Sequence, residues 1–269
     1  IIGYAELYSY KLLITENLNE GNVLYSDVNN SDGYGGLIGF INNDNNDATP
    51  GATYPVEITK NINRGLIDTS SSSTTGGSGG TGGLIGDLTT SSSFGQPSIT
   101  NINNNYNTGM VKNSGGDLVF GYRNLGGLVA WVTSTNNSQL GIEKNYSSGE
   151  VVGASNNEAG SLIGRSYTMA PASTSVTGSF ATGQVTGSGY IAAIIGNMDG
   201  DTQANLTNVH YDQYTTGLTT CTGGTTFPPI GSPNCEQATS TSQFTTGQSS
   251  PSNLPINTWD FANIWGYQP

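Results

Sequence analysis

The chain has 269 residues, including 39 glycines, 10 prolines, one histidine and two cysteines, and it carries 7 Lys and Arg against 19 Asp and Glu. The net charge of −12 repels phosphate backbones and anionic lipids, which argues against nucleic-acid binding and against docking on anionic membranes. No apolar run approaches the roughly 20 residues that a membrane-spanning helix needs. One His and two Cys exclude metal sites rich in imidazole or thiolate. Only 34% of residues are hydrophobic, which is typical of disorder unless these residues recur in register.

A short apolar motif recurs along the whole chain, as Gly-Gly-Leu-Ile-Gly and close variants. Its five copies begin 47, 44, 34 and 32 residues apart and occupy residues 35–39, 82–86, 126–130, 160–164 and 192–196. Residues 1–3 look like the end of a sixth copy. Repetition of this kind indicates an architecture in which one supersecondary unit stacks on the next.

A second motif alternates with the first and aligns in four columns without gaps. The first column is aliphatic and contains Ile14, Ile58, Ile102, Ile142 and Val176. The second is an amide column that ends in a hydroxyl: Asn17, Asn61, Asn105, Asn145 and Ser179. The third is bulky: Leu18, Ile62, Tyr106, Tyr146 and Phe180. The fourth contains only glycine: Gly21, Gly65, Gly109, Gly149 and Gly183. Two motifs that keep phase over five copies indicate a regular repeat fold.

These columns predict roles within a stacked structure. We expect the Asn column to form a hydrogen-bonded ladder between units, and the bulky column to fill a narrow interior by like-on-like stacking. We expect the glycines to occupy a turn that needs positive φ. Leu37 and Ile38, with their equivalents, are adjacent apolar columns, and in a regular strand one of them would face outwards. Either a loop or a neighbouring molecule covers the outer column, or the backbone bends there.

The local pattern predicts strands rather than helices. Ile142, Lys144 and Tyr146 alternate with polar residues before Gly149 breaks the run, and no segment has sustained helical periodicity. We expect about three short strands per unit, each paired with its equivalent about 4.8 Å away in the next unit. The predicted fold is an all-β β-solenoid of five to six coils over residues 1–205, roughly 25–30 Å long. The polar loops at 42–52, 69–80 and 134–138 are expected to project from the coil edges.

Residues 206–269 differ in composition and predict a C-terminal cap. Six of the ten prolines lie between Pro228 and Pro269, and no Lys or Arg follows Arg165. Cys221 and Cys235 are 14 residues apart with no other Cys in the chain, which favours a disulfide over two free thiols. A disulfide in turn indicates an oxidising compartment, either extracellular or periplasmic. The aromatic residues of segment 259–265 are expected to cover the open end of the solenoid.

The chain resembles the GLUG repeats of large microbial surface proteins and adhesins. The resemblance rests on the Gly-Gly-Leu-Ile-Gly units, on Asn-Tyr-Ser-Ser-Gly-Glu-Val at residues 145–151, and on an ending with Trp-Asp-Phe and Ile-Trp-Gly. It covers nearly the whole chain, and the run at 116–121 departs from it. The resemblance implies a secreted or surface-anchored β-solenoid with a role in adhesion or surface structure. It transfers no catalytic residues.

Residues that could support catalysis or metal binding are sparse. The one imidazole, His210, aligns with the bulky column and is interpreted as a packed side chain. Asp199 and Asp201, and the segment 43–47, resemble fragments of Ca²⁺-binding loops but lack a terminal bidentate Glu. We therefore expect solvated polar loops and no cofactor. Sequons begin at Asn29, Asn136, Asn145 and Asn205; glycosylation is expected at all of these except Asn145, which belongs to the predicted ladder.

These observations predict a non-enzymatic, extracellular structural or adhesive solenoid. Because the chain begins within a repeat, we expect a missing leader or upstream region and an open N-terminal strand edge. Upstream repeats or a second copy would pair with that edge, which suggests the subunit of a cell-surface filament. The alternatives are a carbohydrate-active enzyme that uses Asp199 and Asp201, or a lectin-like module that binds surface glycans through exposed Tyr residues and Trp131.

Overall fold

The computed structural model describes residues 2–24, 33–49, 51–69, 79–93, 95–113, 123–154, 157–202, 204–224 and 235–238. These residues wind into coils that stack along one axis, as the two repeated motifs predict. Each complete coil contributes five strands, not three, and the sixth coil is partial. The additional strands are only two to four residues long, too short to show alternation in the sequence.

The strands are numbered in chain order. The first coil has β1 (Ile2–Tyr8), β2 (Leu12–Thr15), β3 (Leu18–Asn19), β4 (Val23–Leu24) and β5 (Tyr34–Gly35). The second has β6 (Ile38–Asn45), β7 (Val56–Thr59), β8 (Ile62–Asn63), β9 (Ile67–Asp68) and β10 (Thr81–Gly82). The third has β11 (Ile85–Ser92), β12 (Ser98–Asn103), β13 (Tyr106–Asn107), β14 (Val111–Asn113) and β15 (Arg123–Gly126).

The remaining coils follow the same order. The fourth has β16 (Val129–Ser134), β17 (Ser138–Glu143), β18 (Tyr146–Ser147), β19 (Val151–Gly153) and β20 (Asn157–Gly160). The fifth has β21 (Ile163–Thr168), β22 (Ser173–Thr177), β23 (Phe180–Ala181), β24 (Val185–Thr186) and β25 (Gly189–Ala192). The last elements are β26 (Ile195–Asp199), β27 (Asn205–Thr207), β28 (Val209–Asp212), the single-turn helix α1 (Gln213–Thr216) and β29 (Cys235–Ala238).

Equivalent strands of successive coils pair in parallel and form five sheets, named A to E after β1 to β5. The pairing is in register: Ile14 lies opposite Ile58, and Ile58 opposite Ile102. The architecture is therefore a β-solenoid. Two of the three predicted polar loops are shorter than the composition suggests, because residues 42–45 belong to β6 and residues 134 and 138 belong to β16 and β17. Residues 70–78 of the third predicted loop lie outside the described residues.

The adjacent apolar columns of the first motif both lie in the core, because the backbone bends between sheets E and A. The amides of Leu37 and Ile38 donate to the same carbonyl oxygen, that of Leu84, at 3.1 and 3.0 Å. The next coils repeat this arrangement. Sharing one acceptor interrupts the alternation of a regular strand, much as a β-bulge does. Both side chains consequently face inwards, and neither column needs cover from a loop or a neighbouring molecule.

The amide column at the start of sheet C forms a ladder that runs through the coils. The Nδ2 of each Asn donates to the Oδ1 of the next at 2.9–3.0 Å, from Asn17 to Asn61, from Asn61 to Asn105 and from Asn105 to Asn145. Each Oδ1 also accepts the backbone amide of the preceding Asn. At the end of this first ladder, Ser179 Oγ accepts the amide of Asn145 at 3.1 Å.

The predicted interior role of the bulky column is wrong. Leu18 is exposed, and Tyr106 and Tyr146 are half-buried on the outer face of sheet C, where their rings stack 4.7 Å apart. The inward position is the next residue, which forms a second ladder: Asn19 donates to Asn63, and Asn63 to Asn107, at 2.7 Å each. Residues in a left-handed backbone conformation, such as Lys60 (φ 58°), immediately precede the first ladder and set the direction of these strands.

The predicted reason for the glycine column is also wrong. None of its five members has positive φ. A methyl group on Gly65 would overlap the carbonyl oxygen of Gly21, and a methyl group on Gly109 would overlap that of Gly65. Close stacking of the backbone from coil to coil therefore requires glycine here.

The chain itself covers sheets A and C at the C-terminal end of the core, whereas β27 and β24 are the terminal strands of sheets B and D. Cys221 accepts hydrogen bonds from the amides of Ile194 and Ile195, and Thr222 bridges to Ile195. On sheet C, β29 pairs with β28. The disulfide between Cys221 and Cys235 joins these two covering segments. The aromatic segment 259–265, predicted to complete the cap, lies outside the described residues.

We expect removal of this disulfide to loosen the C-terminal end and leave the first coils unchanged. Closing a loop of this length stabilises a folded chain by about 3 kcal/mol in the chain-entropy model. The variant Cys221→Ser/Cys235→Ser should therefore lose hydrogen-exchange protection at Ile194, Ile195 and β28, but not in β7 or β8, because each coil contacts only its neighbours. Wild-type protein under reducing conditions is the control. Equal protection in the variant and the wild type would contradict the role assigned to the disulfide.

Candidate functional site

The N-terminal end of the solenoid is an open edge. Each of β1 to β5 is the terminal strand of its sheet and pairs on one side only. The amides of Ile62 and Arg64 donate to the carbonyls of Asn17 and Asn19. Their equivalents in the first coil, the amides of Leu18 and Glu20, have no acceptor within the described part of the chain. Unpaired strand edges of this kind are templates for a further strand.

Exposed apolar side chains concentrate on the first coil. The described residues include ten strongly exposed large hydrophobic side chains, and six of these form an N-terminal belt: Tyr4, Tyr8, Tyr10, Leu13, Leu18 and Leu24. Leu18 is 52% exposed, whereas Phe180, in the same column four coils later, is only 9% exposed. The difference arises because each outward side chain is covered by its equivalents in the coils before and after it. The belt therefore has the exposure of a coil that lacks its preceding neighbour.

The two Asn ladders also end at this edge with unused acceptors. In the interior, the Oδ1 of Asn61 accepts from Asn17, and that of Asn63 accepts from Asn19. The Oδ1 atoms of Asn17 and Asn19 themselves receive no hydrogen bond from any described residue. The open end therefore presents hydrogen-bond acceptors at both ladder columns.

A cluster of polar side chains lies between sheets E and A near the C-terminal end. Arg165 Nη2 contacts Asp199 Oδ2 at 2.7 Å, and Arg165 Nε lies 3.5 Å from Oε2 of Glu158. Asn197 Nδ2 donates to Glu158 Oε1 at 2.8 Å, and the guanidinium carbon lies 5.4 Å from the centre of the Trp131 ring. The Glu158 side chain is only 1% exposed. A substrate could not reach this carboxylate, so the cluster is a buried ion network.

We expect Glu158 to make stability depend on pH. Burial raises the pKa of its carboxyl above the ordinary value by more than Arg165 and Asn197 lower it. A carboxyl with a raised folded-state pKa contributes stability below its unfolded pKa and loses it as the pH rises through the folded pKa. The melting temperature of the wild type minus that of Glu158→Gln should therefore increase as the pH is lowered from 7 to 4. The expected increase is about 2–4 °C for each kcal/mol of stability gained. Glu143→Gln, at an exposed carboxylate, is the control, and a pH-independent difference would contradict this account.

The candidate calcium residues are not arranged as predicted. Segment 43–47 is not a loop: residues 43–45 belong to β6, and Asn43 and Asn45 use their Nδ2 atoms to donate to backbone carbonyls of other segments. Asp199 contacts Arg165, while Asp201 is exposed. Within the described ranges, no three acidic, His or Cys side chains form a group that could hold a metal ion.

The other predicted positions are placed as follows. Asn136 is exposed in a turn, and Asn205 is exposed at the start of β27. Asn145, by contrast, is fully buried in the first ladder. Asn29 lies outside the described residues. His210 is 8% exposed and pairs with Phe180 in the bulky column.

Sequence reasoning missed Glu158 and the second ladder. Glu158 lies seven residues before Arg165, and the bend between sheets E and A brings such positions together. The signal for the second ladder was visible as Asn-x-Asn-x-Gly in three repeats, at 17–21, 61–65 and 105–109.

The fold and its ends define the class as a β-solenoid whose N-terminal end is open and whose C-terminal end is covered by the chain on sheets A and C. No protein-family model, curated protein or solved structure matches the chain. In the described ranges, no helix has the length and hydrophobicity needed to cross a bilayer.

Proposed function

We propose that this chain is a non-enzymatic structural or adhesive β-solenoid of an extracellular assembly, joined to that assembly through its first coil. The observation that carries the proposal is the contrast between the ends: the chain covers sheets A and C at the C-terminal end, while the N-terminal end combines five uncovered strand edges with the N-terminal belt. Exposed apolar surface that is concentrated at one place marks an interaction site.

Two further observations support an extracellular location. The Cys221–Cys235 disulfide suits an oxidising compartment. The resemblance to GLUG repeats implies a role at a microbial surface. The doubled Leu and Ile columns do not support a homopolymer, because they are buried within each molecule and present no surface to a second copy.

Antibody accessibility tests the proposal. One antibody is raised against residues 8–13, which include three members of the N-terminal belt, and a matched antibody against residues 213–217 at the covered end. Both should bind the purified chain, whereas in native surface material viewed by electron microscopy only the second should bind. Equal labelling of both epitopes in native material would reject the first coil as the assembly interface.

A glycan-binding role is a second candidate, and one observation favours it. The rings of Tyr4 and Phe40 stack 5.0 Å apart on the outer face of sheet A, and Tyr4 is 55% exposed. Exposed aromatic rings suit the apolar faces of sugars. We expect a glycan array to show binding that Tyr4→Ala abolishes if this role holds, and no binding if the structural role is the whole function. The enzymatic alternative would need Asp199, which is already paired with Arg165.

A further inference from the structure

We propose that the partner of the N-terminal end is a complete solenoid coil of the same repeat, stacked parallel and in register, with amide side chains at both ladder columns. This inference rests on the proposed function and names the partner. It follows from two glycines and two ladder acceptors of the first coil that the described chain leaves unused, and from the charges of that coil.

Gly3 and Gly21 of the first coil have no steric role within the described part of the chain. In later coils, a methyl group at the column glycine would overlap the carbonyl of the preceding coil, as at Gly65 and Gly109. At Gly21 the nearest atom to such a methyl group would be 3.7 Å away, and at Gly3 nothing lies within 4 Å. Neither residue has positive φ. Both positions would require glycine if a further coil stacked in front of the first one with the same spacing.

The ladders specify what that coil carries. Within the chain, each Asn of the first ladder gives its backbone amide and Nδ2 to the next Oδ1. A preceding coil in the same register would give the same two donors to Asn17 Oδ1 and one Nδ2 to Asn19 Oδ1. Its carbonyls would accept the amides of Leu18 and Glu20. A lone strand without amide side chains would leave both ladder acceptors unused.

The charges of the first coil favour a basic partner. Glu16 and Glu20 lie 3.5 and 3.2 Å from Lys60 and Arg64 of the second coil. In a stacked coil, the residues on these two columns would approach the same carboxylates from the other side. Basic residues there would be attracted, and acidic residues would be repelled.

A second intact copy does not meet these requirements. Stacked tail to head, it would present Val209 or Cys235 at the first ladder column, and neither side chain can donate, since Cys235 is in a disulfide. Stacked head to head, it would place acceptor against acceptor at Asn17 and bring Glu16 and Glu20 against their own equivalents. The partner is therefore a coil that keeps the full Asn-x-Asn-x-Gly pattern, which the last strands of an intact copy lack.

The test uses a peptide of residues 58–68, which contains Asn61, Asn63 and Gly65 together with Lys60 and Arg64. Added to the ¹⁵N-labelled full chain, it should shift the amide resonances of Leu18, Asn19 and Glu20, with roughly millimolar affinity for so short a segment. A control peptide with Asn61→Val and Asn63→Val should shift them at least tenfold less. The chain variant Gly21→Ala, whose new methyl group would meet the docked carbonyl, should fold normally and lose the response.

The outcomes separate this inference from the proposed function. The inference fails if the peptide causes no shift up to about 10 mM, if the control peptide binds equally, or if Gly21→Ala binds as the wild type does. It also fails if sedimentation of the chain alone shows a dimer that Gly21→Ala abolishes, because the occupant is then a second copy. Masking of the N-terminal epitope in native material, without peptide binding, would keep the proposed function and reject this partner. Peptide binding with an unmasked epitope would reject the proposed function alone.

Discussion

Replacing Asn105 with Ala is expected to lower the free energy of unfolding by about 3–5 kcal/mol, since it removes four hydrogen bonds from the buried interior. Asn105 is completely buried; its Oδ1 accepts from the backbone amide and Nδ2 of Asn61, and its Nδ2 donates to Ile58 O and Asn145 Oδ1. The truncation leaves the backbone amide of Asn61 without its acceptor and the carbonyl of Ile58 without its side-chain donor. Urea denaturation followed by circular dichroism measures the loss.

Two variants in the same column serve as controls for Asn105. Asn105→Ser should cost less than Asn105→Ala, because the natural Ser179 already accepts the amide of Asn145 at 3.1 Å. Asn17→Ala should cost no more than about 1 kcal/mol, because Asn17 is exposed and ends the ladder. If Asn17→Ala and Asn105→Ala are equally destabilising, the ladder does not account for the stability of the interior.

Replacing Gly109 with Ala is expected to destabilise the solenoid by about 2–4 kcal/mol or to prevent folding. The added methyl group would overlap the carbonyl oxygen of Gly65 and lie 2.6 Å from Asn63 Nδ2. Neighbouring strands hold both coils by backbone hydrogen bonds, so the clash can be relieved only if the coils separate locally. Thermal unfolding and the soluble yield measure the effect.

Gly21→Ala is the matched control for Gly109→Ala. It makes the same chemical change in the same column, but no described coil precedes it and its new methyl group would lie 3.7 Å from the nearest atom. We expect its melting temperature to equal that of the wild type within about 1 °C. Comparable destabilisation by both substitutions would show that glycine is needed for a local conformation and not for close stacking.

Much of the architecture could be predicted from the repeats. The two motifs kept phase over five copies, so the solenoid, its coil number and the in-register pairing of columns followed from counting. The number of strands per coil did not follow, because pairs such as Ile62–Asn63 are held in strands only by the coils above and below them. The alternation of inward and outward side chains was also predicted wrongly at the bulky column. There, a residue in the left-handed conformation before the ladder changes which side chains face inwards.

The N-terminal end was predicted as the candidate site, but the groups that it presents were not. An open N-terminal edge was expected, and among the described residues β1 to β5 each pair on one side only. The unused acceptors of Asn17 and Asn19 and the freedom around Gly21 depend on distances between coils, which the sequence does not contain. Glu158 was missed because it lies in sheet E, whereas its partners Arg165 and Asn197 lie on neighbouring strands of sheet A.

That the chain stacks into coils can be read from the sequence, because a small number of hydrophobic residues can share a core when their columns are in register. The reason for the residue type of each column became visible only in the folded molecule. Glycine is required by the approach of one backbone to the next, and asparagine by donors and acceptors one coil apart. Both requirements act between coils, and for this reason they end at the first coil, where the unused groups define the proposed interface.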